Sequence, residues 1–146
     1  AIAKLHRHTP VVGLITGTVG CFGGMSIATG LCSYLVVTKE ARLGLNGPQV
    51  IEQEAGITEY DSKDKPFIWS MTGGEIRYET GFADELAVDD VDAVRTAIAK
   101  CFAQGSPESF RTDRVGFYLP RLAGFDASQQ VFPEITKALF SQGDRK

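Results

Sequence analysis

The sequence predicts an α/β fold, on three observations. Two short β-branched runs, 11–15 and 34–37, flank a glycine-rich turn and a helix-like stretch. Val91, Val94, Ile98, Cys101 and Phe102 recur at helical spacing behind an acidic start. The chain has 146 residues, of which 43% are hydrophobic, so it is read as one domain, 1–146, with its own core.

Taken in order, Ile2 and Leu5 with the basic residues around them read as the end of a helix whose start is absent, or as a short N-terminal helix. Val11 to Val37 is the most unusual stretch, 27 residues without a charge, longer than a membrane span of about 20 residues requires. Glycines at 13, 17, 20, 23, 24 and 30 argue against a span, because each weakens a continuous helix by close to ~1 kcal/mol. The expected order is therefore strand, glycine turn, a buried helix from Met25 to Cys32, and strand. Pro48 suits the first position of a helix continuing from Gln49 to Ala55, which Gly56 ends. Thr58 to Lys65 is polar and reads as a loop. Phe67-Ile68-Trp69 is apolar, and Thr72-Gly73-Gly74 turns the chain. Ile76, Tyr78 and Phe82 mark a partly buried segment of undecided helix or strand state. Asp84 to Gly105 reads as a helix capped by Asp89 or Asp90. Ser106 to Arg114 is read as a loop, and a last helix begins near Pro133 with Ile135, Leu139 and Phe140 inward. The tail Gly143-Asp144-Arg145-Lys146 is expected in solvent.

Composition narrows the function. Fifteen Lys and Arg against eighteen Asp and Glu leave a net charge of −3, which gives no basic excess to drive binding to nucleic acid or to an anionic membrane. Cys21, Cys32 and Cys101 are odd in number and lack Cys-x-x-Cys spacing. They read as reduced thiols in the core of a cytoplasmic protein. His6 and His8 are the only imidazoles, and no acidic cluster has ligand spacing, so a metal site is not expected. The run Asp89-Asp90-Val91-Asp92 reads as a helix N-terminus, and Trp69 and Tyr78 as core or interface.

The turn Gly20-Cys21-Phe22-Gly23-Gly24 into a helix offers unpaired backbone N–H groups, which can hold a phosphate or an oxyanion. A P-loop would need Gly-Lys-Ser/Thr, where this chain has Gly24-Met25-Ser26, and Gly-x-Gly-x-x-Gly does not occur. That leaves the oxyanion reading, beside the simpler one that Gly23 and Gly24 only permit tight packing. Ser26 has no histidine near it in sequence, and Cys21 in the turn reads as a small buried thiol more readily than as a nucleophile.

Gly23-Gly24-Met25-Ser26 at a helix start is followed by Leu35-Val36-Val37 and then by Ala41-Arg42-Leu43-Gly44-Leu45-Asn46-Gly47-Pro48-Gln49-Val50-Ile51-Glu52-Gln53-Glu54-Ala55-Gly56. This order resembles the carboxyltransferase branch of the crotonase superfamily, in which Gly-Pro-x-Val-Ile-Glu-Gln is a fairly specific marker. With Gly20-Cys21-Phe22 ahead of it, the stretch from about Thr9 to Asp90 is similar to the β-subunit family of malonate decarboxylase. The resemblance implies a crotonase-like (ClpP/crotonase) spiral of ββα units, of which this chain would be the second half. It implies decarboxylation of a malonyl thioester to an acetyl thioester through an enolate. The thioester would sit on a CoA-derived prosthetic group of an acyl-carrier protein, with no cofactor bound directly to this chain. A γ subunit of the same fold would complete the site. Carried onto this sequence, the backbone oxyanion donors are Gly23 and Gly24, with Met25 the neighbouring N–H. A second donor would come from an earlier strand loop. The two acids of crotonase-type hydratases fall at Ile27 and Gly47, which favours loss or transfer of CO2 over hydration. Two alternatives stand beside this: a carboxyltransferase component of a biotin-dependent enzyme, and a non-catalytic scaffold of the same fold.

Overall fold

A computed structural model describes residues 1–140, and the tail expected in solvent lies outside the described residues. A short helix α1 (Ile2–Leu5) precedes strand β1 (Val12–Ile15), helix α2 (Gly24–Gly30) and strand β2 (Tyr34–Thr38). Helices α3 (Pro48–Ala55), α4 (Lys65–Thr72) and α5 (Gly74–Glu79) lead to strand β3 (Glu85–Ala87). Helix α6 (Val91–Ala103), a 3-10 turn (Arg111–Asp113), α7 (Val115–Ala123) and α8 (Pro133–Phe140) follow.

The three strands form one parallel sheet in the order β1-β2-β3. Parallel pairing requires each connection to cross a face of the sheet, and the chain does so through α2 first and through α3 to α5 second. β2 is central and buried along its whole length, as its uninterrupted apolar run requires. Its alternate residues serve two cores. Leu35 and Val37 pack with Ile15, Cys32, Ala41 and Ala83 on one face. Tyr34 and Val36 pack with Ala87, Ala97 and Cys101 on the other, under α6. The Tyr34 hydroxyl donates to the Gly105 carbonyl at 2.8 Å, which ties the end of α6 to the sheet.

The strand–turn–helix–strand order from Val12 to Thr38 matches the sequence reading, and Pro48 opens α3 as expected. The Asp90 side chain caps α6 by accepting from the amides of Asp92 and Ala93. Two expectations are corrected. Asp84 to Gly105 is not helix throughout: Glu85–Ala87 pairs with β2, because Val36 to Thr38 leave an open edge that β3 satisfies. Met25 to Cys32 is not a buried helix: α2 has no fully buried residue, and Met25 and Ile27 lie 67% and 61% exposed. Thr72-Gly73-Gly74 turns the chain as expected, and tightly. Gly73 alone joins α4 to α5, and Gly74 lies so close to the Thr38 carbonyl that no Cβ would fit. The undecided segment at Ile76 and Tyr78 is helix, and α7 is an element the sequence reading did not contain. Among the described residues no helix is long and apolar enough to cross a membrane.

Candidate functional site

The turn between β1 and α2 is built by backbone bonds to the segment after β2. The Cys21 amide donates to the Arg42 carbonyl at 2.8 Å and the Gly44 amide to the Cys21 carbonyl at 3.2 Å. Gly23 then adopts φ 61° and ψ −137°, a region that side chains disfavour, and swings the chain into α2. Its own amide donates to the Leu45 carbonyl at 2.7 Å. Of the three residues expected to present amides, Gly23 thus has its N–H engaged within the protein. Among the described residues Gly24 and Met25 have no acceptor for theirs. A Cβ on Gly24 would meet no atom within 4 Å, so a side chain can stand beside these amides without a clash.

Arg42 fixes the approach to the turn. Its guanidinium donates to the Thr18 carbonyl at 3.1 and 2.6 Å and to the Val19 carbonyl at 2.9 Å. The same group lies 4.5 Å from the Trp69 ring centroid and 5.6 Å from that of Phe22. Trp69 is held in turn by its indole N–H, which donates to the Glu40 carbonyl at 3.0 Å.

Behind α2 lies a cavity of about 260 Å³, lined by Ser26, Leu35, Leu45, Phe82, Arg77 and Arg111 among others. Most of this wall is carbon, which suits an acyl chain more than a sugar or a nucleotide. Ser26 donates to the Gly23 carbonyl at 2.7 Å and is not set against a base. Arg111 is pinned by Asp84 at 2.6 Å and by the Cys32 carbonyl at 2.9 Å, while Asp84 also accepts the Leu35 amide at 2.7 Å. Burial pulls the Arg77 pKa down. The sequence reading missed all three arginines. The signal for Arg77 was a lone cation between the apolar Ile76 and Phe82.

The remaining candidates fall elsewhere. Ile27 is exposed on α2, and Gly47 caps α3, so neither of the hydratase acid positions carries an acid. His6 is buried against Phe110, with ring centroids 4.6 Å apart. Cys32 and Cys101 are buried thiols and Cys21 is half-buried, its Sγ 3.2 Å from Thr29 Oγ1. Burial pushes the Cys101 thiol up to about 11 and the Cys32 thiol up as well. Among the described residues no group of three His, Cys, Asp or Glu side chains could hold a metal ion.

No protein-family model matches the chain. The chain is similar to one in the crystal structure of a Pseudomonas malonate decarboxylase hetero-tetramer in complex with malonate. Identity is 57%, the match covers 95% of this chain and 50% of that one, and the TM-score is 0.90. It is also similar to a chain of the Pseudomonas malonate decarboxylase MdcD–MdcE hetero-dimer, at 53% identity over 84% of this chain and 49% of that one, with a TM-score of 0.70. A curated relative, the malonyl-S-ACP:biotin-protein carboxyltransferase MADC of Malonomonas rubra, is 35% identical over 115 residues, or 79% of this chain and 36% of that protein. The chain thus spans about half the length of the solved relatives and about a third of the curated one.

Proposed function

The chain belongs to the malonate-decarboxylase-like carboxyltransferase family, with a partial α/β crotonase-like fold, and we propose on that premise that it is part of a malonate decarboxylase β subunit. Its substrate is a malonyl thioester carried by an acyl-carrier protein on a CoA-derived prosthetic group. Its partner is a γ subunit of the same fold, and the assembled enzyme releases an acetyl thioester. The observation that carries this reading is the pair of amides at Gly24 and Met25, without an acceptor among the described residues and next to Ser26 of a carbon-lined cavity.

The chemistry follows from where charge goes. The bond between the α-carbon and the carboxylate breaks, its electron pair moves toward the thioester carbonyl, and neutral CO2 leaves. Negative charge then develops on the thioester oxygen. Fixed N–H donors aimed at that oxygen stabilise the transition state more than the ground state. The Gly23 N–H bond to Leu45 serves a different purpose: it holds the turn so that the next two amides need no reorganisation. The enolate carbon finally takes a proton, so the net reaction consumes one from solvent.

Gly24→Val in the assembled full-length complex tests the assignment. A Cβ at residue 24 meets nothing within 4 Å, so the fold tolerates the change while the branched side chain crowds a substrate seated at the amides. Losing one such donor costs ~3 kcal/mol, about a hundredfold or more in kcat. A native kcat in a folded Gly24→Val complex overturns it. Similarity to a biotin-protein carboxyltransferase supports a second reading, transfer of CO2 to biotin. Activity that persists in the presence of avidin excludes this second reading.

A further inference from the structure

Two guanidinium groups reach the cavity behind α2, and they differ in one respect. Arg111 has a carboxylate, Asp84, at 2.6 Å. Arg77 has none. Its Nε donates to the Leu43 carbonyl at 2.7 Å, and its guanidinium carbon lies 5.5 Å from the centroid of the Phe82 ring. Among the described residues no Asp or Glu forms an ion pair with it, and its two terminal nitrogens have no protein acceptor. Burial disfavours its charged form, and the Tyr60 phenol opposes that effect without overcoming it. A half-desolvated cation in a carbon-lined cavity is an incomplete arrangement, because buried charge is ordinarily paired. What completes it is an anion. The free edge of a guanidinium, with two parallel N–H donors, matches a carboxylate in bidentate geometry.

The cavity adjoins the proposed oxyanion amides through two residues. Ser26 lines it and directly follows Met25, and Leu45 lines it while its carbonyl accepts the Gly23 amide at 2.7 Å. We propose that Arg77 is a specificity residue, receiving the free carboxylate of a short carboxyacyl thioester whose thioester oxygen lies at the Gly24 and Met25 amides. This rests on the oxyanion reading given above. A clamp of this kind binds the ground state. When the carbon–carbon bond breaks, the charge leaves the carboxylate for the thioester oxygen, and neutral CO2 keeps no ion pair with Arg77. Arg77 therefore sets affinity for the carboxylated acyl group and disfavours retention of the decarboxylated product, while the amides set the rate.

The test is Arg77→Met in the assembled full-length complex, assayed with malonyl thioester as substrate and acetyl thioester as competitive inhibitor. The expected result is a KM for malonyl thioester raised about tenfold or more, a kcat that does not fall, and an unchanged inhibition constant for acetyl thioester. Arg77→Lys, which keeps the charge and loses the fork, is expected to lie between. It is the variant to read if Arg77→Met fails to assemble. An unchanged KM overturns the proposal. So does a parallel loss of malonyl and acetyl thioester binding, which is what a purely structural role through the Leu43 carbonyl would give. Gly24→Val in the same preparation reports on the oxyanion reading separately, by lowering kcat without altering discrimination between the two thioesters. A native complex that turns over no malonyl thioester overturns both.

Discussion

Removing the Arg42 guanidinium is expected to cripple the reaction without unfolding the protein. Arg42→Met keeps a long apolar stem against Trp69 and Phe22 and deletes the donors to the Thr18 and Val19 carbonyls. Hydrogen bonds from a charged donor contribute roughly 1.5–3 kcal/mol when shielded, and an exposed cation–π contact about 0.5–1 kcal/mol. Arg42 is partly open to solvent, so the low end of those ranges applies, and local stabilisation of ~2 kcal/mol is lost. That loosens residues 17–20 ahead of the turn, while the Cys21–Arg42 and Gly23–Leu45 backbone bonds remain. Donor amides misplaced by about an ångström lower a rate by as much as ~100-fold. The expected outcome in the assembled complex is a fall in kcat of about tenfold or more, with a smaller change in KM. Faster amide hydrogen exchange confined to residues 17–24 should accompany it. Arg42→Lys should recover little, since an ammonium cannot serve both carbonyls in one plane. Native kcat together with native exchange at residues 17–24 would refute the argument that Arg42 holds the turn.

Other perturbations test the rest of the structure. Gly74→Ala should lower the thermal midpoint by several degrees, because the added Cβ overlaps the Thr38 backbone carbonyl, and overpacking of that kind costs about 1–3 kcal/mol. An unchanged midpoint would mean that α5 does not close onto β2 as described. Under native conditions an alkylating reagent should label Cys21 before Cys32 and Cys101, which are buried with raised pKa values; mass spectrometry of the labelled protein checks the order. The Cys101 thiol keeps its proton in the folded state up to about 11, against 9.0 for the free thiol. Between those values the unfolded chain has lost a proton that the folded chain retains. The stabilisation from Cys101 is therefore full below 9.0 and fades as pH rises through about 11, and Cys101→Ala should flatten the pH dependence of stability in that window.

The fold was legible where local chemistry and tertiary demand agree. Between Val12 and Thr38 the β-branched runs, the glycine turn and the short helix each point to the element that forms. Legibility ended where an element exists only because of a distant neighbour. Glu85–Ala87 has no strand signature of its own and becomes β3 because β2 presents an open edge. The partly apolar stretch around Ile76 becomes helix because Gly74 lets it start against Thr38. Helix α7 carries a proline at 120, which speaks against helix in sequence. Its Phe117 and Tyr118 nevertheless pack ring to ring at 5.1 Å, and Tyr118 stacks on Phe82 at 5.3 Å.

The site divides along the same line. Gly23, Gly24 and Met25 stand out because a glycine pair at a strand-to-helix junction is a local signal, and local signals survive in a sequence. Which amide is spent within the protein is not local. It depends on Leu45, twenty-two residues on, whose carbonyl takes the Gly23 N–H and leaves the next two free. Charge balance is less local still. Arg77 and Arg111 are both arginines beside apolar residues, and nothing in their spacing separates them. Only the folded chain sets Asp84 against Arg111 and, among the described residues, no carboxylate against Arg77. The amides answer charge that appears during the reaction, whereas an unpaired guanidinium answers charge already present in the substrate. Decarboxylation moves one negative charge from the second kind of partner to the first. Mutations at residue 24 and at residue 77 should therefore act on different constants, kcat for the one and KM for the other, and be close to additive in a Gly24→Val/Arg77→Met double variant. Strong coupling between the two would mean that one of them acts only by holding the other in place.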